Sequence, residues 1–414
     1  MKKKILLFTD GFPYDPGEKP FLYHELCVLS KTNDVDIVAS VRKKYADNSV
    51  NIDLPQNVKI FKYCIADVGK KEQIKFLPQI LVSRAWIKEK SAVKNAGGNR
   101  TILNDAYIYI MRAYMFLKWL TSEVELTKYD VCYTYWNSYA TLALALYKQE
   151  HDVFKLITRT HGYDLYNERM TYKRQYYKKY VDGYLDKVVF IAESGKEYYC
   201  DHFIDDKTDV NNKYIVSPIG VTLAERIPEK TTDNFVIVSC SSVIPLKRVD
   251  IIASALAQIT DRHIHWIHLG GGSEFDKLSN LCKQLFEQNE SVTYELKGQI
   301  SNEQVREFYC REFVDCFITT SSTEGSPVSI QEALAYGIPI IGTRVGEIPQ
   351  LIEECGLLIS ENPSIDEVKN AVLRMIDLDK NEVKIIRDRA LAKMKETYDA
   401  DKNAYAFSMV LNNL

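Results

Sequence analysis

The stretch SSTEGSPVSIQEALAYGIP, residues 321–339, joins two short β-rich runs, CFITTSS before it and IPIIGTR after it. Within the stretch Ile330, Ala333 and Leu334 recur at helical spacing, which predicts an amphipathic helix. A strand, a helix and a second strand in this order form a right-handed βαβ unit with parallel strands. This unit indicates the fold class of the region around it.

The ends of this predicted helix carry two acidic residues. Ser326 is a suitable N-cap and Pro327 suits the first helical position, so we expect the helix to begin there and to stop at Gly337. Glu324 then lies just before the helix N-terminus, and Glu332 projects from the second turn. A surface turn with solvated glutamates explains the pattern. An anion site explains it as well, because a helix N-terminus offers free backbone N–H groups.

The same alternation of strands and helices continues along most of the 414 residues. Further candidate strands are KKILLFTD, DVDIVAS, NVKIFKY, VCYTY, KLITRTHG, KVVFIAE, KYIVSPIG, NFVIVSCSS, HIHWIHLG and VTYELKG. A polar break at residues 228–234 divides the series into two parallel sheets. We therefore predict an α/β protein with two Rossmann-like doubly wound domains, in which ligands bind beyond the carboxyl ends of the strands.

Composition and charge exclude several classes of protein. The net charge of −3 argues against a dedicated nucleic-acid binder. The nine cysteines are scattered without a CxxC pair, which suits a reducing cytosol and predicts neither a metal knuckle nor a disulfide framework. The short apolar run in MKKKILLFTDGF suits a first strand better than a signal peptide, and no run of about 18 apolar residues predicts a transmembrane helix. We expect a cytoplasmic protein, or one attached to the inner face of the membrane.

Positive charge is concentrated near the start of the chain. Residues 1–120 have a net charge of +8, and within them the span 70–100 has eight Lys and Arg against two Glu. Its apolar members, Ile74, Leu77, Ile80, Leu81 and Ala85, recur at helical spacing and are followed by Trp86 and Ile87. The span is either an ordinary solvated helical face or a surface for an anionic membrane or an acidic acceptor.

Several residues that could carry chemistry follow predicted strands. Lys247 and Arg248 are adjacent cations before a helix, where acidic residues are more usual, so they suit a diphosphate as well as a solvated pair. His161 at a strand end can donate a hydrogen bond or exchange a proton, or it can cap a backbone carbonyl. Gly17, in a Pro/Gly loop, allows close backbone approach to a phosphate, or serves only as a turn residue.

Two other motifs give weak signals. His263, His265 and His268 alternate with apolar residues but have no carboxylate or cysteine at useful spacing, so a metal site is not expected. Gly270–Gly272 resembles half of a dinucleotide fingerprint and lacks the GxGxxG spacing, which argues against an NAD-dependent dehydrogenase.

Five ordered motifs resemble the retaining glycosyltransferases of family 4, the group 1 glycosyltransferases. The motifs are FPYDPGEKPFLYHEL (12–26), LITRTHGYDLY (156–166), IVSPIGV (215–221), SSVIPLKRVD (241–250) and EGSPVSIQEALAYGIPIIGT (324–343). The last two, with Lys-Arg and two glutamates eight residues apart, are the most specific. The resemblance implies the GT-B fold, in which two Rossmann-like domains face each other across a central cleft.

The resemblance also implies roles for the matching positions. Lys247 and Arg248 would bind the donor diphosphate, Glu324 the donor sugar and Glu332 the ribose hydroxyls. The other implied contacts are the backbone amides of Gly325, Ser326 and Val328 along the sugar-phosphate, Gly17 at the diphosphate, His161 near the reactive face of the sugar, and Lys297 with Gly298 near the base.

The implied function is retaining transfer of a sugar, from a UDP- or GDP-sugar to a lipid-linked or polysaccharide acceptor in cell-surface glycan synthesis, with no metal or other cofactor. The implied domains are an acceptor domain at 1–225, a donor domain at 226–396, and a helix at 397–414 that packs back on the first domain. A UDP-sugar epimerase and a non-catalytic sugar-nucleotide or glycan-binding protein would have the same fold. The intact charged positions favour transfer over mere binding.

Overall fold

The computed structural model describes residues 2–50, 52–205 and 210–414. The chain forms two compact units. Unit 1 comprises the residues up to Ile219 together with Asp401–Leu414, and unit 2 comprises Gly220–Ala400. The boundaries expected from the sequence, after residues 225 and 396, lie a few residues from these.

Unit 1 is built on a seven-stranded parallel sheet with the order β3-β2-β1-β4-β5-β6-β7. Its strands are β1 Lys4–Thr9, β2 Asp34–Val41, β3 Ile60–Cys64, β4 Val131–Thr134, β5 Lys155–Thr160, β6 Lys187–Phe190 and β7 Tyr214–Val216. Leu6 and Phe8 point into the core on one face of the sheet, and Ile5 and Leu7 into the core on the other. Both faces are covered, which explains why these strands are apolar without alternation.

The helices of unit 1 cover both faces of this sheet. They are α1 Lys19–Thr32, α2 Lys70–Val82, α3 Arg84–Asn95, α4 Arg100–Glu123, α5 Tyr139–Lys148, α6 Lys178–Asp182, α7 Glu193–Phe203 and α8 Val210–Lys213, with α16 Ala400–Asn412 returning at the end of the chain. None of the helices in the described parts of the chain combines the length and apolarity needed to cross a bilayer.

Unit 2 has a six-stranded parallel sheet with the order β10-β9-β8-β11-β12-β13. Its strands are β8 Phe235–Cys240, β9 Ile264–Leu269, β10 Val292–Leu296, β11 Cys316–Thr319, β12 Ile340–Thr343 and β13 Gly356–Ile359. Its helices are α9 Val249–Leu256, α10 Phe275–Phe286, α11 Asn302–Arg311, α12 Val328–Ala335, α13 Ile348–Ile352, α14 Ile365–Ile376 and α15 Lys380–Thr397. The strand order reverses between β8 and β11, as in doubly wound nucleotide-binding sheets.

The predicted fold class of two Rossmann-like parallel sheets is confirmed, and every strand named from the sequence is present. One strand, β13, was not predicted. It has four residues, begins with Gly356 and pairs with β12 alone, so its sequence carries little strand signal.

Helix α16 packs on the sheet of unit 1. Phe407 is 1% exposed and lies with its ring centroid 5.1 Å from that of Tyr133. The Arg159 guanidinium lies 4.6 Å from the centre of the Phe407 ring and is ion-paired with Glu25 at 2.5 Å. The end of the chain thus completes the cover of a buried charge pair.

Replacing Phe407 with alanine should lower the free energy of unfolding by about 3–5 kcal/mol, because the substitution opens a cavity in this core. Tyr405→Ala is the matched control, since Tyr405 is on the same helix and 57% exposed. Urea denaturation of both variants measures the difference. Equal stability of the two variants would contradict the packing of α16.

Candidate functional site

The loops after β8 and β11 in unit 2 are joined by hydrogen bonds. The backbone N–H of Ser322 donates to the carbonyl oxygen of Leu246 at 2.9 Å. The Thr320 hydroxyl donates to the carbonyl oxygens of Lys247 and Arg248 at 3.1 and 2.9 Å. The position of the Lys247–Arg248 pair is therefore fixed by the loop that leads into α12.

Arg248 acts as a clamp between loops. Its backbone is left-handed, with φ 49° and ψ 41°, which is uncommon for a residue with a side chain. Its Nε donates to Thr320 O at 2.7 Å, and its Nη2 donates to Ser321 O at 3.1 Å and to Glu361 O at 2.7 Å. Its Nη1 donates to Asn362 Oδ1 at 3.0 Å. Most of the guanidinium N–H groups are thus engaged within the protein, and the predicted diphosphate contact stays a prediction.

Lys247 and Glu324 form a direct ion pair. The ammonium Nζ donates to Glu324 Oε1, and the two side chains are only 23% and 13% exposed. The sequence predicts that Lys247 binds phosphate and that Glu324 binds sugar. Because the two groups bind each other in the structure, a ligand that uses both must bridge or separate them.

The N-terminus of α12 differs by one residue from the expectation. Pro327 is the N-cap, with φ −74° and ψ 110°, and Val328 is the first helical residue, so Ser326 as N-cap was wrong. The Ser326 hydroxyl instead accepts a hydrogen bond from Gln331 Nε2 at 2.9 Å. At Gly325 a Cβ would meet nothing within 4 Å. The start of α12 is therefore open on the side of Gly325, and its first N–H groups have no side-chain cap.

The loop after β12 packs against Glu324, and sequence reasoning gave this contact no role. Gly346 has φ +53°, and a Cβ there would lie 2.1 Å from the carbonyl oxygen of Glu324. The backbone N–H of Glu347 donates to Gly325 O at 3.2 Å. Only glycine fits at Gly346 without moving the loop that carries Glu324.

Glu332 is on the second turn of α12, and its carboxyl group is largely shielded from solvent. Burial raises the pKa of its carboxyl group to about 7, and the nearby Arg306 opposes this only in part. Burial raises the pKa of the Cys240 thiol to about 12, with Glu332 adding to the shift and Lys247 opposing it. Cys240 is the last residue of β8, so Glu332 and Lys247 are both near the carboxyl end of this central strand.

Lys297 and Gly298 follow β10, next to the end of β9. The Lys297 ammonium pairs with Glu295, and its backbone N–H donates to His268 O at 3.0 Å. Gly298 has φ +67° and accepts a hydrogen bond from the Gly270 N–H at 3.0 Å. The predicted base contact thus lies two strands from β8 in the sheet.

In unit 1 the loop after β1 is organised by a buried carboxylate. Glu18 accepts hydrogen bonds from the Phe12 N–H at 2.7 Å and from the Trp136 indole N–H. Burial raises the pKa of Glu18 to about 7, although these hydrogen bonds oppose the shift. Gly17 is exposed, and its N–H donates to Asp15 Oδ1 at 2.9 Å. Sequence reasoning missed Glu18; a glutamate just before a helix was its only signal.

His161 is 8% exposed at the end of β5. Its ring packs on Trp136, with centroids 4.2 Å apart, and neither ring nitrogen has a hydrogen-bond partner among the described residues. Burial, helped by the positive charge of Arg159, lowers the pKa of His161 well below its usual value. The backbone N–H of His161 donates to Asp164 Oδ1 at 2.6 Å. The imidazole is neutral, so it suits hydrogen bonding better than proton exchange at neutral pH.

Within the part of the chain that the structure describes, no group of three His, Cys, Asp or Glu residues could hold a metal ion. The Nδ1 atom of His265 lies 2.8 Å from Thr293 Oγ1, and the Nδ1 atom of His268 lies 2.8 Å from Ser239 Oγ. The histidines of β9 therefore have separate partners.

The structure brings four of the predicted residues together in unit 2, at the ends of β8 and β11. These four are Lys247, Arg248, Glu324 and Gly325. Ser326, Val328 and Glu332 follow in the same loop and in α12, and Lys297 with Gly298 is at the end of β10. Gly17 and His161 belong to unit 1.

Glu332→Gln should change how stability depends on pH. The native pKa of Glu332 is about 7 against an ordinary 4.5, so between pH 4.5 and 7 the folded protein holds a proton that the unfolded chain releases. The free energy of unfolding of the wild type should then fall, relative to the variant, by up to roughly 3 kcal/mol as pH rises through this window.

Urea denaturation of both proteins at pH 5 and pH 8 measures this difference. Glu18, whose pKa is also about 7, titrates in both proteins, so its contribution cancels. If the free energies of unfolding of the two proteins differed by the same amount at pH 5 and at pH 8, Glu332 would be solvated in the folded protein.

Comparison with known proteins identifies the family of the domain in unit 2. Residues 222–390 match the family model of the glycosyl transferases group 1. An uncharacterised glycosyltransferase, MJ1178 of Methanocaldococcus jannaschii, is 24% identical over 270 residues, which cover 65% of this chain and 71% of that protein. The O-antigen biosynthesis glycosyltransferase WbnH of Escherichia coli is 27% identical over 220 residues, which cover 51% of this chain and 58% of WbnH.

The fold is shared over the full length of a solved structure. Anabaena HepE in complex with UDP and glucose matches 100% of both chains with a TM-score of 0.65, at 17% sequence identity. At this identity the match shows a common fold. Unit 2 therefore contains a glycosyl transferases group 1 domain, and the chain, with its two Rossmann-like sheets, has the GT-B fold.

Proposed function

We propose that the chain is a retaining hexosyltransferase, one of the family 4 enzymes, that moves a sugar from a nucleotide-sugar donor to a lipid-linked or polysaccharide acceptor in cell-surface glycan synthesis. The observation that carries the proposal is the Lys247–Glu324 pair beside the open N-terminus of α12. The relatives named for O-antigen biosynthesis support the class of pathway.

Lys247 and the backbone N–H groups at the start of α12 would stabilise the leaving group. When the bond from the sugar carbon to the diphosphate oxygen breaks, its electron pair stays on that oxygen and negative charge grows there. A fixed ammonium and a helix N-terminus lower the energy of this charge more than that of the ground state. Because these groups supply positive charge themselves, we propose that no metal ion takes part.

The two glutamates would hold the two hydroxyl-bearing ends of the donor. Glu324, in the loop before α12, would accept hydrogen bonds from the sugar, and Glu332 would accept them from the ribose. Lys297 and Gly298, at the end of β10, would contact the base. Arg248 would hold the loop that carries Lys247 and contact the diphosphate through an N–H group that the clamp leaves over.

Unit 1 would contribute neutral hydrogen-bonding groups. His161, with both ring nitrogens unpartnered among the described residues, suits a sugar hydroxyl near the reacting carbon. Gly17, in the loop that Glu18 holds, would let the backbone of this loop approach the diphosphate closely. We propose that the protein works in the cytoplasm, on donors of the UDP or GDP class.

Lys247→Ala should weaken donor binding by roughly 10- to 100-fold, because hydrogen bonds to charged groups contribute about 1.5–3 kcal/mol. A thermal-shift panel of UDP-, GDP- and ADP-sugars first identifies the donor, and calorimetry then compares the variant with the wild type. Lys277→Ala is the matched control, since Lys277 pairs with Glu274 on the exposed surface of the same unit. Unchanged affinity in Lys247→Ala would remove the diphosphate assignment.

Glu324→Gln should lower the rate of sugar transfer by at least about 10-fold without weakening the binding of the free nucleotide diphosphate, since the amide keeps the size but not the charge that meets the reacting sugar and that pairs with Lys247. Transfer is followed with the donor from the panel and a lipid-linked acceptor, and NMR of the product reports whether the anomeric configuration is retained. A wild-type rate would exclude Glu324 from the site. Conversion of the donor without any acceptor would favour the epimerase instead.

A further inference from the structure

The outer faces of α2 and α3 in unit 1 carry an unusual combination of side chains. Five aliphatic side chains there are exposed: Ile74 by 72%, Leu77 by 39%, Leu81 by 49%, Val82 by 76% and Ile87 by 55%. The described residues include thirteen exposed large hydrophobic side chains, and these five fall within fourteen consecutive positions. Such a concentration is a patch, whereas single exposed aliphatics elsewhere need no explanation.

Among the exposed aliphatics, Ile74 and Leu81 are on the opposite side of α2 from the residues that hold it to the protein. Phe76 and Ile80 are buried against the core of unit 1. At 3.6 residues per turn, Ile74 and Leu81 point away from these two residues, whereas Leu77, three residues before Ile80, lies beside the buried face. The core therefore does not require Ile74 and Leu81 to be apolar, and the helix has a second apolar face.

Cations surround this apolar face. Lys75, Arg84, Lys88, Lys90 and Lys94 are all exposed, and no carboxylate partner is found for them among the described residues. Glu89 is buried and engaged by Arg174 at 2.8 Å, so its charge does not face outwards. Lys70, Lys71 and Glu72 belong to the same span, but their side chains are not among those that the structure describes.

A neighbouring contact shows how crowded the positive charge is. Lys118 on α4 is exposed, and the adjacent Lys75 lowers the pKa of the Lys118 ammonium group. Two ammonium groups this close repel each other, and an anion placed over them would relieve the repulsion.

We propose that α2 and α3 dock unit 1 onto an anionic lipid bilayer, with the aliphatic side chains entering the interface and the lysines contacting the headgroups. This goes beyond the proposed function, because it concerns helices that carry none of the proposed donor contacts. Amphipathic helices with lysine-flanked aliphatic faces bind bilayers in this way, and each cation near an anionic surface strengthens binding by about 5-fold.

Other occupants fit less well. A second copy of the chain, related by a two-fold axis, would bring the lysine-rich faces against each other, and like charges would oppose that contact. Interfaces with other proteins are depleted in lysine and enriched in aromatic residues, and the five exposed hydrophobic side chains here are all aliphatic. A bilayer with anionic lipid matches both the charge and the aliphatic character.

The test is co-sedimentation of the full-length protein with vesicles of phosphatidylcholine alone, or with about one third phosphatidylglycerol. We expect binding to the anionic vesicles only. Added salt should weaken this binding, because at 0.1 M ionic strength charges are screened beyond a Debye length of about 10 Å. Lys88→Glu with Lys94→Glu should reduce binding at least 10-fold, and Ile74→Ser with Leu81→Ser should also reduce it at least 10-fold. All four residues are exposed, so the variants should fold, which circular dichroism and the thermal shift with the donor check independently.

The matched controls are Lys283→Glu and Ile385→Ser in unit 2, where Ile385 is 51% exposed; both should bind as the wild type does. No binding to anionic vesicles, or equal binding by the charge-reversed variant, would overturn the proposal. A dimer in solution that the Ile74→Ser, Leu81→Ser variant dissociates would overturn it in favour of a second copy. Sugar transfer to a soluble acceptor is measured separately, so loss of vesicle binding and loss of the proposed activity are distinguishable.

Discussion

The hydrogen bonds of Arg248 are the constraint on which the geometry of unit 2 depends. One guanidinium group ties Thr320 and Ser321, after β11, to the loop at Glu361 and Asn362. The left-handed backbone at Arg248 turns the chain directly from the loop after β8 into α9. Lys247, one residue earlier, is thereby held where it meets Glu324. The clamp thus joins the loops that follow β8, β11 and β13, and donors whose positions are fixed in advance are what stabilisation of a growing charge requires.

The Lys247–Glu324 pair gives this surface a specific energetic character. An ion pair that is mostly buried is costly to break by removing one partner, because the other is left without compensation. A ligand that brings its own anion to Lys247 and its own hydroxyl groups to Glu324 replaces both halves at once. A ligand with only one of the two replaces half of the pair and leaves the other half unsatisfied. This is the physical basis for our proposal that the pair binds a nucleotide sugar, in which a phosphate and a sugar are joined.

Local sequence signals predicted most of the fold. The β-branched runs and helical spacings gave the two parallel sheets, while β13 was missed because its four residues begin with glycine and lie at an edge. Turn chemistry placed the start of α12 one residue too early, because Pro327 takes the capping position and Ser326 bonds Gln331. Spacing alone also placed Glu324 before α12 and Glu332 on its second turn.

Long-range contacts could not be predicted in the same way. The bond between Trp136 and Glu18 joins residues 118 positions apart, and no periodicity encodes it. The clamp of Arg248 likewise depends on carbonyl groups 72 to 113 positions away. The sequence indicated that Lys247 and Arg248 were cations in an unexpected place, but only the structure separates them. Lys247 pairs with the side chain of Glu324, whereas Arg248 donates most of its hydrogen bonds to backbone carbonyl groups.

The carboxyl groups of Glu18 and Glu332 have similar pKa values but different surroundings. Glu18 in unit 1 and Glu332 in unit 2 both have a pKa of about 7, because burial disfavours their charged forms. Glu18 uses its oxygens to hold the loop after β1, so its role is to position that loop. For Glu332 only the nearby Arg306 opposes the effect of burial on the pKa, and the carboxyl group can change between hydrogen-bond acceptor and donor near neutral pH. A ribose hydroxyl, which both donates and accepts, is compatible with either form, whereas a phosphate would be repelled by the charged one. The buried carboxyl group of Glu332 therefore suits the hydroxyl-bearing end of a donor, and Lys247 with the α12 N-terminus suits its phosphates.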